Sequence, residues 1–154
     1  MKKIDMNAAP VKTGTRYPEP YAGPCKAREA VQLGDAAGLT QFGVILVRVA
    51  PGAWSSQRHW HEREDEFVYV VEGEGVLVTD AGEEILRVGD CAGFKCGERD
   101  GHHIQNRGDK DLVLLTVGSR DDADWGEYSD IDMKFGPGRY SGKGGYVRKN
   151  GEPI

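Results

Sequence analysis

An all-β fold of the antiparallel sandwich or barrel type is predicted by three features of this 154-residue chain. Short runs of β character follow one another closely, turn residues separate them, and no amphipathic helix intervenes. The turn chemistry comes from 22 glycines and 7 prolines, with Gly at roughly twice its usual share. They remain below the fraction that marks low-complexity chains and have no collagen-like period, so a folded domain is expected.

Taken in order, residues 1–40 read as an irregular arm over the domain, punctuated by Pro10, Pro18, Pro20 and Pro24, part of which can pair as an edge strand. From Phe42 the pattern changes to candidate strands at 42–49, 53–61, 66–72, 75–79, 84–88, 91–95, 102–106 and 112–117. The breaks between them include Pro51-Gly52, Glu72-Gly73-Glu74-Gly75, Asp80-Ala81-Gly82, Gly89-Asp90 and Arg107-Gly108-Asp109, where Gly supplies positive φ. Beyond Gly118, residues 121–125 form an acidic loop or short helical turn, and the Gly-rich tail is expected to pack along the outside. The expected organisation is one domain with an arm (1–40), a β-barrel core (41–118) and a C-terminal extension (119–154). A chain of this size buries on the order of 70% of its unfolded surface, which makes a self-sufficient core.

Charge and cysteine content narrow the function classes. Lys+Arg of 20 against Asp+Glu of 25 gives a net charge of −5, the wrong balance for binding a phosphate backbone. No apolar run is long enough to span a bilayer, and Lys2 and Lys3 are not followed by an apolar segment of the signal-peptide kind. The expectation is a cytoplasmic protein with neither nucleic acid nor membrane as partner. Cys25, Cys91 and Cys96 are odd in number and without framework spacing, in keeping with a reducing compartment. Cys91 and Cys96 are five apart, so on one strand they face opposite ways, which argues against a cysteine metal site.

The four histidines fall in two pairs, His59 with His61 and His102 with His103. On a strand, residues two apart share a face, so His59 and His61 present two nitrogen ligands on one side while Trp60 points to the other. The charged tetrapeptide Glu62-Arg63-Glu64-Asp65 suits a turn, after which Glu66 faces back across to both histidines. Two imidazoles and a carboxylate with open positions suit a divalent transition metal: non-haem Fe(II) most diagnostically, with Zn, Mn, Ni or Co chemically compatible. A third imidazole from a distant strand would complete the set, and alternation lets one of His102 and His103 point inward.

These residues resemble the cupin family. Its first motif, G-x5-H-x-H-x3,4-E-x6-G, is followed by Gly52, His59, His61, Glu66 and Gly73, with one extra residue before His59. Its second, G-x5-P-x-G-x2-H-x3-N, is followed by Gly89, Gly97, His102 and Asn106, with Lys95 in place of proline and two extra residues before His102. The resemblance covers about half the chain and is nearest to small single-domain bacterial cupins. It implies a double-stranded β-helix (jelly-roll) barrel holding one divalent ion on His59, His61, Glu66 and His102, with His103 turned away.

Strand parity assigns further roles. With Glu66 facing the metal, Val68 and Val70 line the interior, while Phe67, Tyr69 and Val71 form an outward apolar row. Such a row fits cover by the arm or tail, or a subunit interface; the resemblance implies a two-fold homodimer. Substrate-facing candidates are Trp54, Gln57, Phe94 and Gln105, together with Val78 and Leu114, and Lys95 as an anion anchor at the barrel mouth. The functional expectation is a metalloenzyme acting on a small polar metabolite, either an isomerase of a sugar or sugar phosphate or a dioxygenase. Its rival is a non-catalytic sensor using the same pocket.

Overall fold

A computed structural model describes residues 3–154. Among the described residues there are twelve strands: β1 (Val11–Thr13), β2 (Arg28–Gln32), β3 (Phe42–Val49), β4 (Glu66–Glu72), β5 (Glu74–Thr79), β6 (Gly82–Arg87), β7 (Cys91–Phe94), β8 (His103–Gln105), β9 (Leu112–Ser119), β10 (Gly126–Glu127), β11 (Lys134–Phe135) and β12 (Tyr146–Val147). One short helix, α1 (Leu33–Ala36), joins β2 to β3. The large sheet has the order β1-β2-β3-β9-β4-β7, the second β6-β5-β8, and the tail adds β10-β11-β12. Every strand pairing is antiparallel. No helix among the described residues is long and apolar enough to cross a membrane.

The core forms where inward-facing aliphatic residues of the two larger sheets meet. Val47 and Val49 of β3, Val68 and Val70 of β4, Leu112 and Leu114 of β9, Leu77 of β5, Leu86 of β6 and Ile104 of β8 belong to one buried cluster. Burial of each such side chain contributes about 1.5–3 kcal/mol relative to leaving it exposed. Alternation along β4 is as its sequence predicts: Val68 and Val70 are buried, whereas Phe67, Tyr69 and Val71 keep 43%, 39% and 37% of their surface exposed. A bulge between Val70 and Glu72 lies past this stretch, so parity is intact from Glu66 to Val70.

The expected strand at 53–61 is not formed. That segment makes only isolated bridges, Trp54 with Gln105 and His59 with both His102 and Tyr128. Its backbone is divided among arm, β8 and tail, with Trp54 donating to the Pro24 carbonyl. Ser55 donates its N–H to the Ile104 carbonyl, and its hydroxyl oxygen accepts from the Ile104 N–H. Trp60 and Glu62 donate instead to Glu127 and Trp125 in the tail. A serine hydroxyl competing for a ladder N–H, followed by a change of partner, prevents a continuous ladder.

The arm is more regular than its prolines suggest. β2 pairs with β3 from Arg28 opposite Val49 to Gln32 opposite Ile45, and β1 pairs outside it. Other boundaries move by a few residues. β6 begins at Gly82 because Gly82 pairs with Thr79, which leaves Val88 outside the ladder and exposed. β9 runs on to Ser119 because Phe42 supplies a partner.

The turn before β5 depends on Gly73. Its φ is 79°, and a Cβ there would sit 2.5 Å from the carbonyl oxygen of Asp111, a backbone atom that cannot step aside. Gly73→Ala should therefore cost about 2 kcal/mol or more in a urea titration; unchanged stability would show that the turn is not constrained in this way.

Candidate metal centre

Glu66 opens β4 on its inward face, and its Oε2 is the point on which three imidazoles converge. The Nε2 atoms of His102, His59 and His61 lie 2.8, 3.5 and 3.6 Å from it. The ligand atoms of His59, His61 and Glu66 all fall within 4.8 Å of one another. The rings of His59 and His61 are 5.0 Å apart, as are those of His59 and His102. Although the 53–61 segment is not a strand, His59 bridges to His102, and His59 and His61 both face Glu66.

Each first-motif histidine is oriented through its other nitrogen. His59 Nδ1 lies 2.9 Å from the Gln57 carbonyl, with the Ser56 hydroxyl at 3.4 Å. His61 Nδ1 lies 2.6 Å from Oδ2 of the buried Asp124. Donation from Nδ1 leaves the Nε2 lone pair facing the cluster, the arrangement that metal-ligating histidines use. His61 Nε2 is buried with no hydrogen-bond partner among the described residues. Such an atom is costly unless a cation or donor meets it, so the residues present fit a metal ion.

The electrostatics favour positive charge at this point. Burial works against a charged His61, but Glu66 and Asp124 outweigh it and hold the imidazole above its usual pKa. Burial pushes His59 down to about 4 despite Glu66, so it is a neutral ligand at neutral pH. Burial would raise Glu66, but His61, His102 and His59 hold it well below the usual carboxylate range. The two carboxylates that retain a proton on His61 would equally retain a metal ion.

Adjacent His102 and His103 are separated by their partners. The His102 ring stacks on Phe94 at 3.5 Å and an interplanar angle of 2°, which directs Nε2 to Glu66. His103, also buried, turns away: its Nδ1 meets the Ser56 carbonyl, its Nε2 meets Gln105, and its ring lies edge-on to Trp54 at 4.7 Å.

The cluster opens on a cavity of about 780 Å³, whose wall includes His59, His61, Glu66, Phe94, His102, Leu114, Tyr17 and Tyr128. A smaller cavity of about 230 Å³ borders His61, Glu66, Phe94, Lys95 and His102 on the other side. Of the substrate-facing candidates, Phe94 lines both cavities, Leu114 lines the larger and Lys95 lines the smaller. Trp54, Gln57, Val78 and Gln105 line neither. The missing strand explains two of these differences: the turn at Ser55-Ser56 leaves Trp54 against His103, and the Gln57 amide donates to the Tyr21 carbonyl. Gln105 is held by His103 and Arg107.

Sequence reasoning missed the supporting residues. Asp124 was part of an acidic loop, yet it is buried, accepts from His61 and from the Arg63 backbone N–H, and lies 3.7 Å from Arg139. Glu64 was read as a turn residue, yet it is 4% exposed and lies 3.4 Å from Arg139. Neither is marked by spacing, because each is buried by the tail, which returns over the site through Arg139.

The cupin domain family model matches residues 45–118. Across 99% of its length the chain superposes on 96% of a sugar phosphate isomerase of the cupin superfamily from Silicibacter pomeroyi, at 42% identity and a TM-score of 0.93. The chain belongs to the cupin superfamily. The match extends well beyond the motifs of this cupin, since it includes the arm and tail that wall the cavity. A second structure, from Acidithiobacillus ferrooxidans and provisionally designated a sugar phosphate isomerase, is 33% identical, covers 82% of this chain and 80% of its own, and superposes with a TM-score of 0.73. An oxalate-binding protein of Thermotoga maritima is 35% identical over 71 residues, 46% of this chain; the cupin spans 56% of that relative's length.

Because Asp124 orients His61 and supplies charge beside it, Asp124→Asn should weaken metal binding about 10–100-fold in a competition titration with a chelator. Protons compete with the metal for the imidazoles, so affinity should fall as pH is lowered. Of the two first-motif histidines, His61 protonates above the ordinary imidazole value of about 6.5 and His59 only near 4. In Asp124→Asn the onset should move to lower pH; an unchanged onset would remove Asp124 from this role.

Proposed function

We propose that this cupin is a metalloenzyme that isomerises a small sugar or sugar phosphate, using a divalent ion held by His59, His61, Glu66 and His102. The observation that carries the reading is the convergence of three imidazole Nε2 atoms on the Glu66 carboxylate at the wall of a cavity large enough for a sugar. The 42% identity along nearly the whole chain to a protein described as a sugar phosphate isomerase supports it. When bound, the ion supplies Lewis acidity toward a carbonyl or hydroxyl oxygen, lowering the cost of charge that develops during proton transfer between neighbouring carbons.

The chain's own residues position the substrate and limit water. Ile45, Val47, Ile104 and Leu114 give the cavity an apolar wall, and Phe94 fixes the His102 ring. Tyr17 and Tyr128 line the cavity, and burial raises both hydroxyls above their usual range, so they are neutral groups able to donate hydrogen bonds to sugar oxygens. Glu64 faces the smaller cavity, accepts from the Asp121 backbone N–H and lies against Arg139, which fits a supporting carboxylate.

About one metal per chain is expected in untagged protein, and His59→Ala/His61→Ala should remove it together with turnover of aldose or ketose phosphates followed by NMR. Absence of metal from the wild type would overturn the reading. Iron with oxygen consumption would instead indicate an oxygenase, to which a two-histidine, one-carboxylate set is also suited. The similarity to an oxalate-binding protein favours a second reading, a binding protein for a small anion. Ligand-induced stabilisation without product would support it.

The outward Phe67, Tyr69 and Val71 row, with exposed Phe42 on β3, supports a two-fold homodimer. Light scattering at micromolar concentration should give twice the chain mass, and Phe67→Glu/Tyr69→Glu should give one; a monomeric wild type would rule the dimer out.

A further inference from the structure

The larger cavity is electropositive in a chain of net charge −5. Its wall carries Lys12, Arg16, Arg28 and Arg139 but a single carboxylate, Glu66, which is already engaged by three imidazoles. Converging charge of one sign in a low-dielectric cleft concentrates ligands of the other sign. Arg139 is matched by Glu64 and Asp124, and Lys12 and Arg16 are exposed on the arm.

Arg28 is different. It is half-buried at the start of β2, and its Nη1 donates to the Ser55 carbonyl. Its Nε is buried with no hydrogen-bond partner, and it makes no ion pair among the described residues. With Nη1 occupied, Nε and Nη2 form the remaining edge of the guanidinium, the side-on fork that takes two oxygens of a phosphate or carboxylate. A buried donor and a cation without a counter-charge are both costly, and an anion at this edge relieves both.

The position suits the far end of a ligand held at the metal centre. Tyr17 lines the same cavity as Arg28 and meets Tyr128 edge-on at 5.3 Å, and Tyr128 lies 5.8 Å from the His59 ring. The wall therefore runs from Arg28 past two tyrosines to the metal ligands, within one cavity.

We propose that Arg28 anchors the anionic group, a phosphate monoester or a carboxylate, of a small polyhydroxylated ligand whose other end reaches His59, His61, Glu66 and His102. This rests on the reading of that cluster as a metal centre in a sugar-sized cavity. It gives the arm a role in choosing the ligand, since Arg28 lies outside both histidine motifs.

The test is calorimetric titration of metal-loaded wild type, Arg28→Gln and Arg28→Lys with aldose phosphates of different chain length, the corresponding aldonic acids and the uncharged aldoses. At least one anionic series should bind the wild type more tightly than its parent aldose. Arg28→Gln should weaken that series about 10- to 100-fold and leave the uncharged aldose unchanged. Arg28→Lys, which retains the charge but not the fork, should fall between, and it preserves a cation beside Ser55 if Arg28→Gln does not fold. Whichever series loses affinity identifies the anionic group. Equal affinities in wild type and both variants, or no anionic ligand bound better than its parent aldose, would overturn the proposal. Metal content, measured on each protein, should be the same in all three. Its absence from all of them would refute the metal-centre reading, whereas normal metal content with no Arg28 dependence would refute only the anchor.

Discussion

The Glu66 carboxylate is the constraint around which the molecule is organised. A carboxylate facing a protein interior costs several kcal/mol unless neighbours compensate it, and here the groups brought against it are three imidazoles from two separate stretches of chain. His59 and His61 lie in the bridge-making segment after β3, and His102 lies just before β8. Glu66 itself begins β4 in the large sheet, so the cluster ties that sheet to the smaller one. Each histidine then needs its own support: a backbone carbonyl for His59, the buried Asp124 for His61 and a stacked Phe94 for His102.

That support draws the ends of the chain into the fold. Asp124 is held by the Arg63 backbone and faced by Arg139, so the tail closes over the cluster. The arm packs against that tail, with β2 paired to β3 and Tyr17 against Tyr128. The resulting cavity has a cationic, polar wall contributed mainly by arm and tail, and an apolar wall contributed by the barrel strands. Placing most of the polar wall on the termini leaves the barrel strands to hold the apolar wall and Glu66, a division between rigid scaffold and connecting segments.

Where local rules governed, the sequence was legible. β4 alternates as its residues require, because one face is buried against β9 and the cost of a slipped register is the whole apolar set. The turn at Gly73 was legible for a similar reason, since only glycine fits a positive φ beside the Asp111 carbonyl. The 53–61 strand is not formed, because its N–H groups find partners in turn in the arm, in β8 and in the tail, and nothing within the segment announces those changes. For the same reason Trp54 and Gln57 lie away from the cavity while His59 and His61 line it: His59 is fixed by its bridges to His102 and Tyr128 and His61 by Asp124, whereas their neighbours follow local turns.

The sequence by itself determined the all-β class and the inward and outward faces of β4, and it marked His59, His61 and Glu66 as candidates with one of His102 and His103 beside them, because these depend on residue type, parity and motif spacing. Tertiary structure alone decided that His103 turns toward Ser56 and Gln105, that Asp124 and Glu64 are buried, and that Arg28 shares a cavity with residues on β4 and in the tail. Burial and charge pairing are properties of segments brought together from far apart in the chain. An aspartate in an acidic loop looks the same in sequence whether it faces water or the Nδ1 of His61.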